Sequence, residues 1–208
     1  MGIRSAVFAS RYDSATRRME ENELGRRRAA LLAGLTGNVF DVGAGTGANL
    51  PHFPPSCTVT AVEPDPHMRR RLEEKVASGA ADAAVTVSAG CAEALPAADG
   101  TVDAVVFTLV LCTVPDQPAA LAEARRALKP GGRLLFLEHI RGTGRHAKAQ
   151  DLLRPLWSFG AQGCQINRDT PAAIAAAGFA ADVQEQFVLE PVWLPVNPFV
   201  LGTAVKPG

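Results

Sequence analysis

One stretch constrains this chain more than any other: Asp41-Val42-Gly43-Ala44-Gly45-Thr46-Gly47-Ala48-Asn49. It follows the short apolar run 39–43 and leads toward a helix. Its glycines let the backbone turn tightly and let a ligand approach with no Cβ in the way. A helix N-terminus behind such a turn presents free N–H groups and positive potential, suited to a carboxylate or phosphate. Glu63 ends the next β-branched run, 58–65, twenty residues after Gly43. An acid at that place can accept both hydroxyls of a ribose, and charge-assisted bonds of this kind contribute about 1.5–3 kcal/mol.

The rest of the chain alternates strands and helices. Residues 13–33 are predicted as a charged amphipathic helix with Leu24, Leu31 and Leu32 on its apolar side and Arg26-Arg27-Arg28 as a solvated face. Strands are predicted at 39–43, 58–65, 85–90, 102–111 and 133–140. Helices are predicted at 66–78, with Pro66 in its first turn, and at 117–128, stopped by Lys129-Pro130-Gly131-Gly132. A further helix at 170–178 has Thr170 as N-cap, Pro171 at its first position and Gly178 at its C-cap. Strands near 181–189 and 198–206 follow with no helix between them, so they can pair antiparallel at one edge.

Near-continuous apolar strands separated by helices imply a parallel sheet covered on both faces. The expected fold class is therefore α/β: a Rossmann-like, seven-stranded, mostly parallel sheet with an antiparallel last strand and helices on both faces. The 208 residues suit one domain, 1–208. Within it, 1–37 is expected as an N-terminal helical cap. Residues 141–170 fit neither period well and are expected as a substrate-shaping insertion.

Lysine plus arginine balance aspartate plus glutamate at 21 each, so no basic excess points to nucleic acid. No apolar run approaches the roughly 20 residues of a membrane span. The N-terminus lacks a signal-peptide core, and the chain is expected to be cytoplasmic. Cys57, Cys91, Cys112 and Cys164 show no CxxC spacing. Neither a disulfide framework nor a metal site is expected from them.

The glycine pattern alone admits three readings. It suits S-adenosylmethionine. It also satisfies the dinucleotide fingerprint as Gly43-x-Gly45-x-x-Ala48, with Glu63 as that fingerprint's acid. Or it is a turn for close helix packing. Two features favour S-adenosylmethionine over a nicotinamide. Asp41 sits where a carboxylate suits a methionine ammonium and would gain nothing beside a pyrophosphate. The only tyrosine is Tyr12, so no Tyr-xxx-Lys pair can follow the fourth strand.

From Asp41 onward the chain resembles the class I S-adenosylmethionine-dependent methyltransferases. DVGAGTG corresponds to the family's glycine motif and VTAVEPD to its ribose-binding strand end. GCAEALPAADGTVDAVV resembles the adenine-binding turn and fourth strand, and LKPGGRLLFLEH the helix end and fifth strand. The resemblance covers about 40–205 and is specific as a set. It implies cofactor contacts from Asp41, Gly43, Gly45, Gly47, Glu63, Pro64, Met68, Cys91, Ala92, Glu93 and Thr108, with Tyr12 closing the site. Many relatives carry Asp where this chain has Cys91, a weak donor and acceptor, which leaves adenine to backbone groups and apolar packing. GTGANL followed by Pro54-Pro55, TLVLCTV, EHI and GCQINRDT resemble the small-molecule thiol S-methyltransferases, which also lack that Asp.

The implied reaction is methylation of a small, apolar thiol, giving a thioether and S-adenosylhomocysteine. C- or N-methylation of a quinone-like or lipid substrate is the nearest enzymatic alternative. A nicotinamide-dependent oxidoreductase and a non-catalytic S-adenosylmethionine-binding module are alternatives of other classes. His139, at the C-terminal end of the fifth strand, is the candidate base, set against a strand-end histidine bonding its own loop. Glu138 should point to the opposite face. Cys112 and Cys164 lie in segments that can face the substrate, although a buried thiol is first of all a packing residue. Trp157 and Phe159 either wall an apolar pocket or belong to the core. Arg168 either attracts an anionic substrate or is an ordinary exposed cation.

Overall fold

A computed structural model describes residues 3–208, excluding the side chains of 3–5 and 15. Among the described residues, seven strands form one sheet in the order β3-β2-β1-β4-β5-β7-β6. The strands are β1 (Gly37–Val42), β2 (Cys57–Val62), β3 (Ala84–Ser88), β4 (Val102–Thr108), β5 (Leu128–His139), β6 (Ala180–Phe187) and β7 (Phe199–Val205). β1 to β5 pair in parallel, whereas β7 pairs antiparallel with both β5 and β6. The helices are α1 (Ile3–Met19), α2 (Gly25–Leu32), α3 (Pro66–Ala77), α4 (Gln117–Ala127), α5 (Gly144–Gly160) and α6 (Thr170–Ala176). None is long and apolar enough to cross a membrane.

The two-residue period of the central strands divides the core. Val105, Phe107, Leu134 and Phe136 pack with Leu121 of α4 and Ile174 of α6. Their neighbours Ala104, Val106, Leu135 and Leu137 pack on the other face with Leu31 and Leu32 of α2. Central strands buried on both faces read as continuous apolar runs, which is why 102–108 and 134–137 stand out in the sequence.

Several boundaries differ from expectation. The N-terminal helix begins at Ile3 and not near residue 13, so Tyr12 and Asp13 lie inside α1. Phe8, Tyr12 and Met19 recur at helical spacing along that segment. A single turn of wider π geometry, Glu20–Leu24, joins α1 to α2. Gly25 permits it, since a Cβ there would stand 2.8 Å from the Glu20 carbonyl oxygen. The Arg26-Arg27-Arg28 run is not a solvated face: Arg26 is, but Arg28 is 2% exposed. Arg27 lies 3.7 Å over the Phe187 ring and pairs with Glu185. β5 starts at Leu128 because Gly131 and Gly132 extend its ladder to Lys206.

The N-cap of α6 is Asp169, whose carboxylate accepts the Ala172 N–H at 3.1 Å, and not Thr170. Thr170 instead takes the first helical position, where its hydroxyl accepts from Gln117. Residues 144–160 form α5, although its pattern gave no helical period. Pro155 lies inside it and Leu152, Leu156 and Phe159 are exposed, so its apolar residues do not mark a buried face.

Gly202 is the tightest point of the sheet. A Cβ there would collide with the Asp182 carbonyl oxygen on β6 and stand 2.7 Å from the Phe136 ring. Gly202→Ala is expected to lower unfolding free energy by about 2–3 kcal/mol in urea, through overpacking of β7. An unchanged midpoint would show that β7 can shift to admit the methyl group.

Candidate active site

The strand order reverses between β1 and β4, and ligands gather beyond the C-terminal ends of strands at such a point. Two cavities open there and share a wall of Phe8, Tyr12, Leu109, Thr113, Ala161 and Gln162.

The first cavity, of about 480 Å³, is bordered by the glycine turn. Gly43 and Gly45 have φ of +67° and +59°, which favour glycine. A Cβ on Gly43 would strike Val110 at 2.6 Å, whereas one on Gly45 would meet only the Gly43 oxygen, at 3.9 Å. The Glu63 carboxylate accepts the N–H groups of Gly45 and Asp65, each at 2.8 Å. It thereby fixes the turn at the end of β2 and keeps one lone pair free on each oxygen. Burial raises its pKa above the usual carboxylate range. Pro64, Met68, Cys91, Ala92 and Glu93 complete this wall. Asp65 caps α3 by accepting from His67 and Met68, which seats Met68 in the first turn.

Asp41, Gly47 and Thr108 lie beneath this cavity and do not line it. Asp41 accepts from the Asn49 amide at 2.7 Å, and its second oxygen has no partner among the described residues. Burial pushes its pKa up to about 7, partly offset by Asn49 and Arg28. Asn49 also donates to Thr108 and accepts from Arg28, whose guanidinium reaches Thr108 and Glu20. Sequence reasoning missed Arg28 and Asn49, because a buried cation looks like any other arginine in a charged helix. Gly47 carries α3 packing: its missing Cβ leaves room for Leu50 and Leu72.

The second cavity, of about 640 Å³, is mainly apolar and is lined by Val7, Leu24, Trp157, Phe159, Val196 and Phe199, among others. Cys112, His139 and Cys164 also line it, each buried. His139 Nε2 lies 3.1 Å from the Cys164 sulfur, and its ring packs edge-on against Phe199 with centroids 6.0 Å apart. Hydrogen bonding from Cys112, helped by His139, holds the Cys164 thiol well below its ordinary range. The same bond and burial push Cys112 up. His139 Nε2 is thus engaged with the Cys164 sulfur. Arg168 lies outside both cavities and donates to the carbonyls of Leu111 and Val114.

Among the described residues, Leu109 and Gln162 are the non-glycine positions with positive φ, +62° and +52°, and both stand in the shared wall. Such backbone persists only when its surroundings hold it. Glu138, fully buried and on the opposite side of β5 from His139, accepts the N–H groups of Val110 and Leu111 at 2.8 and 2.9 Å. Leu109 itself bonds the Leu137 carbonyl. Tyr12 belongs to both cavities, and burial pushes its phenol up to about 12. Its neighbour Asp13 accepts from Thr46 of the glycine loop and pairs with Lys75 of α3 at 3.3 Å, so α1 is tied over the site.

Residues 40–136 match the family described as methyltransferase domain. Thiol S-methyltransferase TMT1B of Homo sapiens is 36% identical over 200 residues, covering 92% of this chain and 81% of that one. Thiol S-methyltransferase TMT1A of Homo sapiens is 35% identical over 173 residues, covering 81% and 70%. A SAM-dependent methyltransferase from Thermotoga maritima superimposes with a TM-score of 0.74 at 22% identity, covering 99% of this chain and all of that one, a likeness of fold. The glycine turn, the acid ending β2, the reversed β7 edge and these similarities together show that the chain belongs to the S-adenosylmethionine-dependent methyltransferases, alongside the thiol S-methyltransferases.

Proposed function

We propose that this chain moves a methyl group from S-adenosylmethionine to the sulfur of a small, apolar thiol, releasing S-adenosylhomocysteine. The observation that carries the reading is the pair of joined cavities. One is built of glycine backbone and carboxylates, and the other is apolar and floored by sulfur and imidazole. The thiol S-methyltransferase relatives support the acceptor class.

The residues of the first cavity suit the donor. The side opened by Gly45 admits a ligand against bare backbone, Glu63 has lone pairs for ribose hydroxyls, and the half-satisfied Asp41 carboxyl suits an ammonium group. Met68 and the backbone near Ala92 offer apolar and peptide contacts for an adenine. When bound, the donor supplies a methyl group on a positively charged sulfur. The protein's part is to align the acceptor sulfur with it and keep water out. Alignment of this kind contributes about 7–11 kcal/mol. Tyr12, Leu109 and Thr113 stand in the wall between the cavities and define the passage.

An ordinary thiol ionises near pH 8.5 and reacts as the thiolate. It needs less help at neutral pH than a phenol or amine. Among the described residues, the mainly apolar second cavity is lined by no carboxylate that could hold an amine's cation. With Nε2 already engaged by Cys164, acceptor activation falls to the Cys112–His139–Cys164 floor as a unit.

Mass spectrometry with methyl-labelled S-adenosylmethionine against a panel of small thiols, phenols, amines and quinols tests the reading. Label is expected on the thiols alone. Transfer to a phenol, amine or carbon in their place would refute the acceptor class and leave the donor site standing. Glu63→Ala is expected to weaken S-adenosylhomocysteine binding about ten- to a hundredfold by calorimetry, the loss of two charge-assisted bonds.

Asp41 gives a third expectation. Its folded pKa, about 7, lies above the ordinary 3.8, so the protonated folded form is favoured. That contribution is fully present below pH 4 and is lost as pH rises through 7. Asp41→Asn has no such loss. It should be close to the parent near pH 4 and exceed it by about 4 kcal/mol at pH 8 in denaturant melts, while binding the donor more weakly. Equal stability at both pH values would mean that Asp41 is ionised in the folded protein throughout.

A further inference from the structure

We propose that Cys112, His139 and Cys164 form a three-ligand zinc site whose fourth position faces the acceptor cavity. The inference rests on the thiol-acceptor reading only for what occupies that fourth position. The two sulfurs and one ring nitrogen all lie within 4.8 Å of one another. A tetrahedral zinc ion, with bonds of about 2.3 Å to sulfur and 2.0–2.1 Å to nitrogen, sets its ligand atoms roughly 3.5–3.8 Å apart. Side-chain adjustments of about an ångström or less separate the observed cluster from that arrangement.

The donor set specifies the metal. Two thiolates and an imidazole are borderline-soft ligands that suit zinc and do not suit magnesium or calcium. Two cysteines and one histidine also constitute a known kind of catalytic zinc set, in which a fourth, open position takes water or substrate. Here the open side is determined by the fold. All three residues are buried in the protein and all three line the same apolar cavity. Their backbone is held from three directions. His139 ends β5, paired with Phe199 of β7. The Cys112 carbonyl accepts from Gln165 N–H at 2.8 Å, and Cys164 N–H bonds Ala161. The site would therefore be organised before an ion arrives.

Charge favours the cation as well. Two cysteines lie side by side on the cavity floor and can each offer a thiolate to the ion. A zinc ion displaces the thiol protons and is neutralised by the two sulfurs. An acceptor thiol binding at the fourth position then loses its proton to solvent, since a coordinated thiol is deprotonated. The acceptor's sulfur electron pair forms the new S–CH3 bond, and the electrons of the breaking bond stay on the donor's sulfur. No oxidant or reductant enters.

Reduced, chelator-treated full-length protein titrated anaerobically with Co2+ tests the site without any catalysis. The expected result is saturation at about one equivalent with a near-ultraviolet thiolate-to-cobalt absorption band. Cys112→Ser and Cys164→Ser should each lose about half of that band, and the double variant all of it. A small alkanethiol should strengthen the band in the parent protein, reporting a third thiolate. Bound S-adenosylhomocysteine, measured by calorimetry, serves as the check that each variant is folded. No charge-transfer band in the reduced parent protein overturns the site, and that measurement needs no variant. A band unchanged in the double variant overturns it equally. If the metal binds and thiols are not methylated, the acceptor reading fails and the site stands. If metal-free protein methylates thiols at the full rate, the site's role in the reaction falls and the acceptor reading stands.

Discussion

The buried hydrogen-bonded chain under the glycine turn is the contact on which the site depends. Arg28 brings a cation into the interior and spends its donors on Asn49, Thr108 and Glu20. Asn49 then passes a hydrogen bond to Asp41. One network thus joins α2, the π turn, the glycine loop, β1 and β4. A buried charge is costly unless paired and bonded, and breaking one partner leaves the other stranded. This is a physical reason for the π turn: it brings Glu20 to within 3.0 Å of the Arg28 guanidinium. The N-terminal helices are therefore coupled to the ligand turn electrostatically as well as through Leu24, Leu31 and Leu32.

A second buried acid performs the matching task on the other side. Glu138 binds two consecutive N–H groups just after β4 and leaves one oxygen without a partner among the described residues. Burial holds its pKa above the ordinary range. Its bonds keep the segment after Leu109 in place while Leu109 takes a left-handed conformation. The strand period then sets His139 on the opposite face. Adjacent residues of one strand so serve two cavities: Glu138 shapes the wall between them, and His139 forms the floor of one.

How much of this was legible follows from the range of the interactions. The central strands are local apolar runs, and the glycine turn with Glu63 is a local motif, so both could be read directly. The seven-stranded, mostly parallel sheet follows from their order. α5 was not legible, because Leu152, Leu156 and Phe159 are exposed and Pro155 breaks the pattern. The start of α1 was missed because its apolar residues line a cavity and not a conventional core. Thr108 was expected to contact the cofactor and Arg168 to attract an anionic substrate, but each instead bonds protein groups that are remote in sequence. Only the fold reveals those bonds. The grouping of Cys112, His139 and Cys164 is of the same kind. Each comes from a different element, and no spacing rule joins them.

The two cavities differ in the charge they tolerate, and that difference suits an encounter between a cationic donor and an anionic acceptor. On the donor side, the carboxyl groups of Glu63 and Glu93 line the cavity beside glycine backbone, with Asp41 beneath it. On the acceptor side, the wall is mainly apolar and is built by α1, α5 and the loop before β7, among others. In a region of low dielectric an isolated thiolate is poorly solvated, and attraction between opposite charges is strong. As the methyl group moves, both charges vanish, so an apolar wall favours the dispersed charge of the transition state over the separated reactants. A phenol holds its proton more tightly than a thiol does, so it would need more help from a base at this apolar wall. The polarity of the two walls, more than any single side chain, is the property of the architecture on which the proposed thiol acceptor rests.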